Sequence, residues 1–487
     1  MRDPLDTYGD ASFQAEGAAF LATHPGYDAD AIAELRATEY GRLDASGSTY
    51  LDHTGAGLYA ASQVTGHHEV LATGIFGNPH SHNPSALAST ALVERARAAV
   101  LEHLNADPAE YDVIFTGNAS GALKLVGEAF PFTPASTYVL LYDNHNSVNG
   151  IREYARRAGA RVVYVPVRPP ELRLDAELLE RALAAPCDAG APRLFAYPAQ
   201  SNFSGVQHPL EWIARARALG WRTVLDAAAY LPTNRLDLAE VKPDFLPISF
   251  YKLFGYPTGA GALVARHEAL RELCRPWFAG GTITLASVQG EGWYRLAPGH
   301  AGFEDGTADF LGLPAVTIGL EHLARVGVER IHQRVMALAD WLLGEMAAAT
   351  HSNGAPLFTV FGPTDLSARG ATIAFYLLDP TGAVFDCARI EQLAGEERIS
   401  LRTGCFCNPG DGEVAHQITR AEMASCFEEP EVPVTLSDCQ AIIADHTGRL
   451  PNTIRISLGI SSDFGDAWRF MRFAGSFRDR AAAEIVA

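Results

Sequence analysis

Asp226, in VLDAAAY (Val224–Tyr230), ends a predicted strand, and Lys252 stands 26 residues later in ISFYKLFGYPTG (Ile248–Gly259). Both follow short apolar runs of strand character, and in an open parallel sheet such strand ends face the ligand crevice. An acid and a primary amine meeting there suit pyridoxal phosphate. The amine condenses with the cofactor aldehyde, and the carboxylate pairs with the protonated ring nitrogen and keeps the ring an electron sink. An ordinary salt bridge or a surface lysine is the plain alternative. It is weakened because Lys252 sits in a Gly-rich turn flanked by aromatics, and because lysine occurs only at Lys124, Lys242 and Lys252. Lys242, in AEVKPDF, reads as a solvated turn residue and Lys124 as a helix-surface residue.

Further polar groups fall at other strand ends. FTGNASGALKLVGE (Phe115–Glu128) is a strand end, a turn of small residues and a helix start, where free amides and the helix dipole favour an anion, with Ser120 and Gly121 close to a bound phosphate. His145, in DNHNSVNG, can stack on a planar ring and exchange protons, and Asn202, in AYPAQSNFSG, can donate to a phenolic oxygen. Each also has a bland reading as a turn or structural residue. LRTGCFCNPG (Leu401–Gly410) carries Cys405 and Cys407 on a loop bounded by Gly and Pro. A flexible, exposed thiolate can attack a sulfur atom and carry it away. A zinc site with Cys426 and Cys439 is the competing reading, although paired ligand spacing is missing; inert cysteines are another. Arg455, on a strand, suits a bidentate clamp on a carboxylate, with Arg402 as a second candidate.

The elements that must position these groups alternate. Tyr138–Tyr142, Arg161–Val167, Arg193–Tyr197, Arg222–Leu225, Asp244–Ser249 and Gly261–Ala265 read as strands, and Ser89–Leu104 carries apolar residues at helical spacing. Strand and helix in turn predict an α/β fold with a mainly parallel sheet. A long helix over 326–349 leads to a smaller α+β domain with strands Leu357–Phe361, Ala371–Leu378 and Thr453–Leu458 and a helix at Asp386–Leu393. The expected division is an N-terminal arm over 1–48, a large domain over 49–320 and a small domain over 321–487. The acidic Gly410–Pro433 segment is expected on the surface.

Composition fits this outline. Of 487 residues, 48% are hydrophobic and 20% charged, enough to bury a large core, and a net charge of −19 argues against nucleic acid or an anionic membrane as a main partner. No apolar run approaches the roughly eighteen residues of a membrane span, and the start MRDPLDTYGD lacks the features of a secretory signal. Seven cysteines form no disulfide framework and fit a reducing cytosol, so a cytoplasmic location is expected.

Taken in order, YLDHTGAGLY (Tyr50–Tyr59), GNPHSHNPSA (Gly77–Ala86), the segments above and FEDGTADF (Phe303–Phe310) resemble class V, fold-type I pyridoxal-phosphate enzymes. The likeness is closest to the cysteine desulfurase domain of the molybdenum cofactor sulfurases and covers about residues 48–475. PAQSNFSG, DAAAYLPTN, FYKLFGYPTG and GCFCNPG are its most specific pieces. The resemblance implies Lys252 as the Schiff-base lysine, Asp226 as partner of the ring nitrogen, His145 stacked on the ring and Asn202 near its phenolic oxygen. It implies Ser120, Gly121 and Ser249 around the phosphate, with Thr282 completing that site from a neighbouring subunit, hence a homodimer. Tyr251 stands where related desulfurases have His. Cys407 aligns with the persulfide-bearing cysteine and Arg455 with the arginine that takes the substrate carboxylate. The implied activity removes sulfur from L-cysteine, leaving alanine and an enzyme persulfide for an unidentified acceptor. A C–S lyase, transaminase or elimination enzyme on the same scaffold is the nearest alternative, and a non-catalytic sulfur carrier the more distant one. After GCFCNPG these relatives usually have another cysteine, whereas Asp411, Gly412 and Glu413 follow here.

Overall fold

The computed structural model describes residues 10–427, 435–447 and 452–485. The larger body is built on seven strands: β1 (Tyr111–Thr116), β2 (Thr137–Leu141), β3 (Arg161–Val165), β4 (Arg193–Pro198), β5 (Arg222–Asp226), β6 (Phe245–Ser249) and β7 (Gly261–Arg266). Their spatial order is β1-β7-β6-β5-β4-β2-β3. Strand β7 is antiparallel to both neighbours, and the other pairs are parallel. Two reversals restore direction, so β1 runs with the rest. The carboxyl ends of β1, β6, β5, β4 and β2 therefore share one edge.

Sheets covered on both faces need apolar residues at successive positions, and the chain supplies them: every residue of β2 and β6 is buried. Because side chains alternate along a strand, neighbours enter separate cores. Val139 and Leu141 pack with Phe195 and Tyr197 on one face, and Tyr138 and Leu140 with Leu194 and Ala196 on the other. The helix Pro84–His103 starts with Asn83 as its cap and a proline in its first turn, and buries Leu92, Val93, Ala96 and Val100.

Helix Val328–Ala348 leads to a four-stranded antiparallel sheet of β8 (Phe358–Phe361), β9 (Thr372–Leu377), β10 (Arg402–Thr403) and β11 (Ile454–Ser457), in the order β8-β9-β11-β10. Register sets Arg402 directly opposite Arg455. Before the large sheet, helices Asp10–Thr23 and Ala29–Glu39 lie against the late helix Phe464–Gly475. Phe20 stacks on Phe464 with ring centroids 4.8 Å apart, Phe13 meets the Trp468 ring edge-on at 5.2 Å, and the buried Arg36 pairs with the buried Asp466.

Two expectations are corrected. The Gly410–Pro433 segment does not lie on the surface at its start: Gly410, Asp411 and Gly412 are buried in the helix Pro409–Ala415. Asn408 caps that helix and Pro409 occupies its first turn, so NPG is a helix start rather than an exposed loop. Residues 428–433 of the segment lie outside the described residues. The cysteines are not all free either. Cys426 and Cys439 form a disulfide, with Cα atoms 5.3 Å apart, which removes both from the zinc alternative. No helix among the described residues is long and apolar enough to cross a membrane.

Phe464 joins the N-terminal helices to the core and is only 8% exposed. Phe464→Ala is expected to cost about 3–5 kcal/mol of unfolding free energy, measured by urea denaturation.

Candidate active site

The shared strand edge borders a cavity of about 270 Å³. After β1 the chain turns at Asn118 and enters the helix Ala119–Ala129. The Asn118 side chain accepts the Gly121 amide at 2.9 Å, leaving the first-turn amides of Ala119 and Ser120 without an acceptor inside the helix. Asn118, Ala119 and Ser120 line the cavity and Gly121 does not, so the expected close approach at Gly121 is not what the structure has. Its amide is already used by the cap. The Ser120 hydroxyl pairs with that of Ser147 at 2.6 Å. Across the cavity Ser249 ends β6, and its hydroxyl is buried without a partner among the described residues.

Three residues beyond β6, Lys252 lies in the short helix Phe250–Phe254. Gly255 ends that helix at φ 84°, and a Cβ there would fall 2.3 Å from the Tyr59 amide nitrogen, so glycine is required to hold the turn. Lys252 lines the cavity, whereas Lys124 is exposed on its helix and Lys242 pairs with Glu110 at 2.7 Å. Burial depresses the Lys252 amine below the usual lysine range. Asp226 opposes this, Arg455 adds to it, and Cys407 and Arg402 contribute one in each direction. Asp226 is the last residue of β5 and accepts the Ala228 amide at 3.0 Å. His145 follows β2 and takes the Ser147 amide on Nδ1 at 3.1 Å. Burial holds its imidazole below the ordinary histidine range, against Asp226 and with help from Lys252. Gln200, Tyr251, Ala228 and Ala229 complete the wall.

The small sheet closes the site. Arg455, only 2% exposed, donates to the Asn202 carbonyl and to Asp52 Oδ1, each at 2.8 Å, while Arg402 reaches Asp52 Oδ2 at 2.8–2.9 Å. Two guanidiniums placed opposite each other by strand register would repel, and the carboxylate between them removes that cost. Asp52 belongs to YLDHTGAGLY, where no local pattern marks it; only the pairing across some 350–400 residues of chain reveals it. The Arg455 guanidinium also lies over the Phe406 ring, 4.5 Å from its centroid.

The cysteine segment is a pinned turn, not the expected flexible loop. Phe406 and Cys407 both have left-handed backbones, φ 55° and 57°. Asn146 N–H donates to the Cys407 carbonyl at 2.8 Å, Asn202 Nδ2 to the Phe406 carbonyl at 2.6 Å, and Asn408 Nδ2 to the Asp143 carbonyl at 2.9 Å. Asn202 lines the cavity, but one amide N–H expected to serve a ring oxygen serves this turn. Cys407 is exposed and within electrostatic range of Lys252, while Cys405 is half-buried and burial pushes its thiol up. Thr282 is not on the cavity wall. It is buried, with its hydroxyl accepting from and donating to the Ala279 backbone at 2.9 and 2.8 Å.

These residues fit a pyridoxal phosphate. Free helix-start amides, the Ser120 hydroxyl and the orphaned Ser249 hydroxyl suit the phosphate. Asp226 suits a protonated ring nitrogen, and Lys252 supplies the amine. Among the described residues no cluster of three or more His, Cys, Asp or Glu could hold a metal ion.

The pattern of the aminotransferase class-V family matches residues 49–470. Molybdenum cofactor sulfurases of Bos taurus and Homo sapiens are each 37% identical over 469 residues, covering 92% of this chain and 52% and 51% of their own. That of Arabidopsis thaliana is 34% identical over 477 residues, covering 91% and 57%. The chain thus spans about half the length of these relatives. A solved cysteine desulfurase from Thermococcus onnurineus NA1 superposes with a TM-score of 0.72 at 22% identity, over 91% of this chain and 97% of that one. The cystine C–S lyase C-DES, solved with its reaction product cysteine persulfide, gives 0.65 at 18%, over 88% and 98%. At these identities the structural likeness carries the fold.

Asp52→Ala strands a buried guanidinium and is expected to cost about 3 kcal/mol or more of stability. Arg402, half-exposed, should cost no more than about 1 kcal/mol as Arg402→Ala. Paired urea titrations compare the two.

Proposed function

The chain belongs to the aminotransferase class-V family, and on that premise we propose that it is a pyridoxal-phosphate enzyme that moves the sulfur of L-cysteine onto Cys407, releasing alanine. The observation that carries this reading is the Cys407 turn, hydrogen-bonded to Asn202 on the wall of the cavity that contains Lys252 and within electrostatic range of that amine. A transaminase has no use for a thiol at that position.

Lys252, Asp226, His145, Asn202, Ser120, Ser249 and Tyr251 would hold the cofactor, which when bound supplies an aldehyde for the amine and a ring that accepts electrons from the substrate. Arg455, with Arg402 beside it, receives the substrate carboxylate; with Asp52 between them the pair keeps one net positive charge. The Lys252 amine, held below the usual lysine range by burial, is able to be neutral and take the Cα proton. His145, kept neutral by burial, accepts the thiol proton of Cys407. The Cys407 thiolate then attacks the substrate sulfur. A bond forms between the two sulfurs, the substrate C–S bond breaks, and its electron pair stays with the carbon that becomes the alanine methyl group. One thiol and one cysteine give one persulfide and one alanine, so no outside oxidant is needed.

A homodimer is part of the proposal. Its support is the apolar surface around the hairpin Ile283–Ala286 and Tyr294–Leu296, where Trp277, Leu285, Val288 and Trp293 are all at least half exposed, next to Thr282. Five free cysteines, one of them the proposed reactive thiol, support a cytoplasmic location, against which the single Cys426–Cys439 disulfide stands.

Lys252→Ala is expected to abolish both the visible absorbance of bound cofactor and alanine release. Cys407→Ala should keep the absorbance and lose the persulfide, read by mass spectrometry of the 403–420 peptide. Pyruvate and ammonia in place of alanine would instead establish an elimination enzyme. Sedimentation should give twice the chain mass, and Trp293→Asp should shift the protein toward monomer.

A further inference from the structure

Asp411 lies four residues beyond Cys407 and is completely buried. Its Oδ2 accepts from Ser201 Oγ at 2.5 Å, Ser204 Oγ at 3.3 Å and Asn408 Nδ2 at 3.4 Å. Asn408 extends the network: Nδ2 also reaches the Asp143 carbonyl at 2.9 Å and Asn202 Oδ1 at 3.1 Å, and Oδ1 caps the Asp411 amide at 3.1 Å. Gly410 lets the helix start press onto the end of β2, because a Cβ there would fall 2.0 Å from the Tyr142 carbonyl oxygen. The carboxyl group thus joins the strand end that presents His145, the turn that presents Asn202 and the turn that presents Cys407.

Filling a buried space is not reason enough for an acid, since burying one is costly and an apolar residue would fill it at less cost. We propose that Asp411 is a positioning residue for sulfur transfer: by gathering Ser201, Ser204 and Asn408 onto one carboxyl oxygen, it fixes the Phe406–Cys407 turn so that the thiol stays at the mouth of the Lys252 cavity. This rests on the desulfurase reading of the site. Burial holds the Asp411 carboxyl well above the usual carboxylate range, and Asp143, itself 2.6 Å from His208 Nε2, pushes it the same way. Burial and Asp143 both disfavour the charged form, so an amide of the same shape is the conservative replacement.

Asp411→Ala and Asp411→Asn holoenzymes test this against wild type. Displacing a reacting group by about 1 Å costs on the order of 100-fold, so Asp411→Ala should lose about that much in kcat for alanine release. KM for L-cysteine and cofactor absorbance should stay unchanged, and amides of residues 404–415 should exchange hydrogen faster. Asp411→Asn should restore both turnover and protection. An Asp411→Ala enzyme with wild-type kcat overturns the proposal, as does an Asp411→Asn enzyme that falls as far as the alanine variant. Should wild-type holoenzyme release no alanine from L-cysteine, the desulfurase reading fails by itself. Hydrogen exchange still decides whether Asp411 fixes the Phe406–Cys407 turn, and unchanged exchange in Asp411→Ala would sink that role.

Discussion

Three hydrogen bonds to Asn202 join the two halves of the site. Its carbonyl accepts from Arg455, its Nδ2 donates to the Phe406 carbonyl, and its Oδ1 accepts from Asn408. Asn202 follows β4 of the large sheet, while its three partners belong to the small sheet and to the cysteine turn. With the bonds from Asn146 to the Cys407 carbonyl and from Asn408 to the Asp143 carbonyl, that meeting sets the distance between the amine and the thiol. Sulfur transfer needs this, because a nucleophile gains its advantage from being held near its target.

Charge follows the same seam. The chain as a whole is strongly acidic, yet Lys252 in its cavity lies within electrostatic range of Arg455 and Arg402. Burial and the two arginines lower the amine, which prepares it as a base, while Asp226 and Cys407 limit the effect. Asp52 lets two arginines share neighbouring strands and still leaves net positive charge for a substrate carboxylate. The acidic surface and the basic site are compatible because Lys252 and Arg455 are shielded from water.

Much of this was legible in the residues. Short runs rich in β-branched and aromatic residues located β2 to β7 to within a residue or two. Lysine scarcity singled out Lys252, and the strand-end positions of Asp226 and His145 followed from the fold class. In the cysteine segment the exposed turn at Cys407 agrees with the Gly and Pro around it, but the inward course of the chain after it has no such local sign. Asn408 followed by Pro409 is a helix cap, and the helix it starts turns inward. Ser249 shows the limit from the other side: a lone serine carries no local signal, and its proposed phosphate role rests on family resemblance and on a hydroxyl buried without a partner among the described residues.

The sequence by itself determined the α/β architecture, the single usable amine and the kinds of group at each strand end, because these depend on local pattern and residue chemistry. Tertiary structure alone decided that Asp52 stands between Arg402 and Arg455, that Cys407 is pinned instead of mobile, and that Asp411 is buried beneath it. Each of those facts rests on contacts between residues far apart along the chain, whose energies depend on distance and exclusion of water, and neither is written in any local run of amino acids.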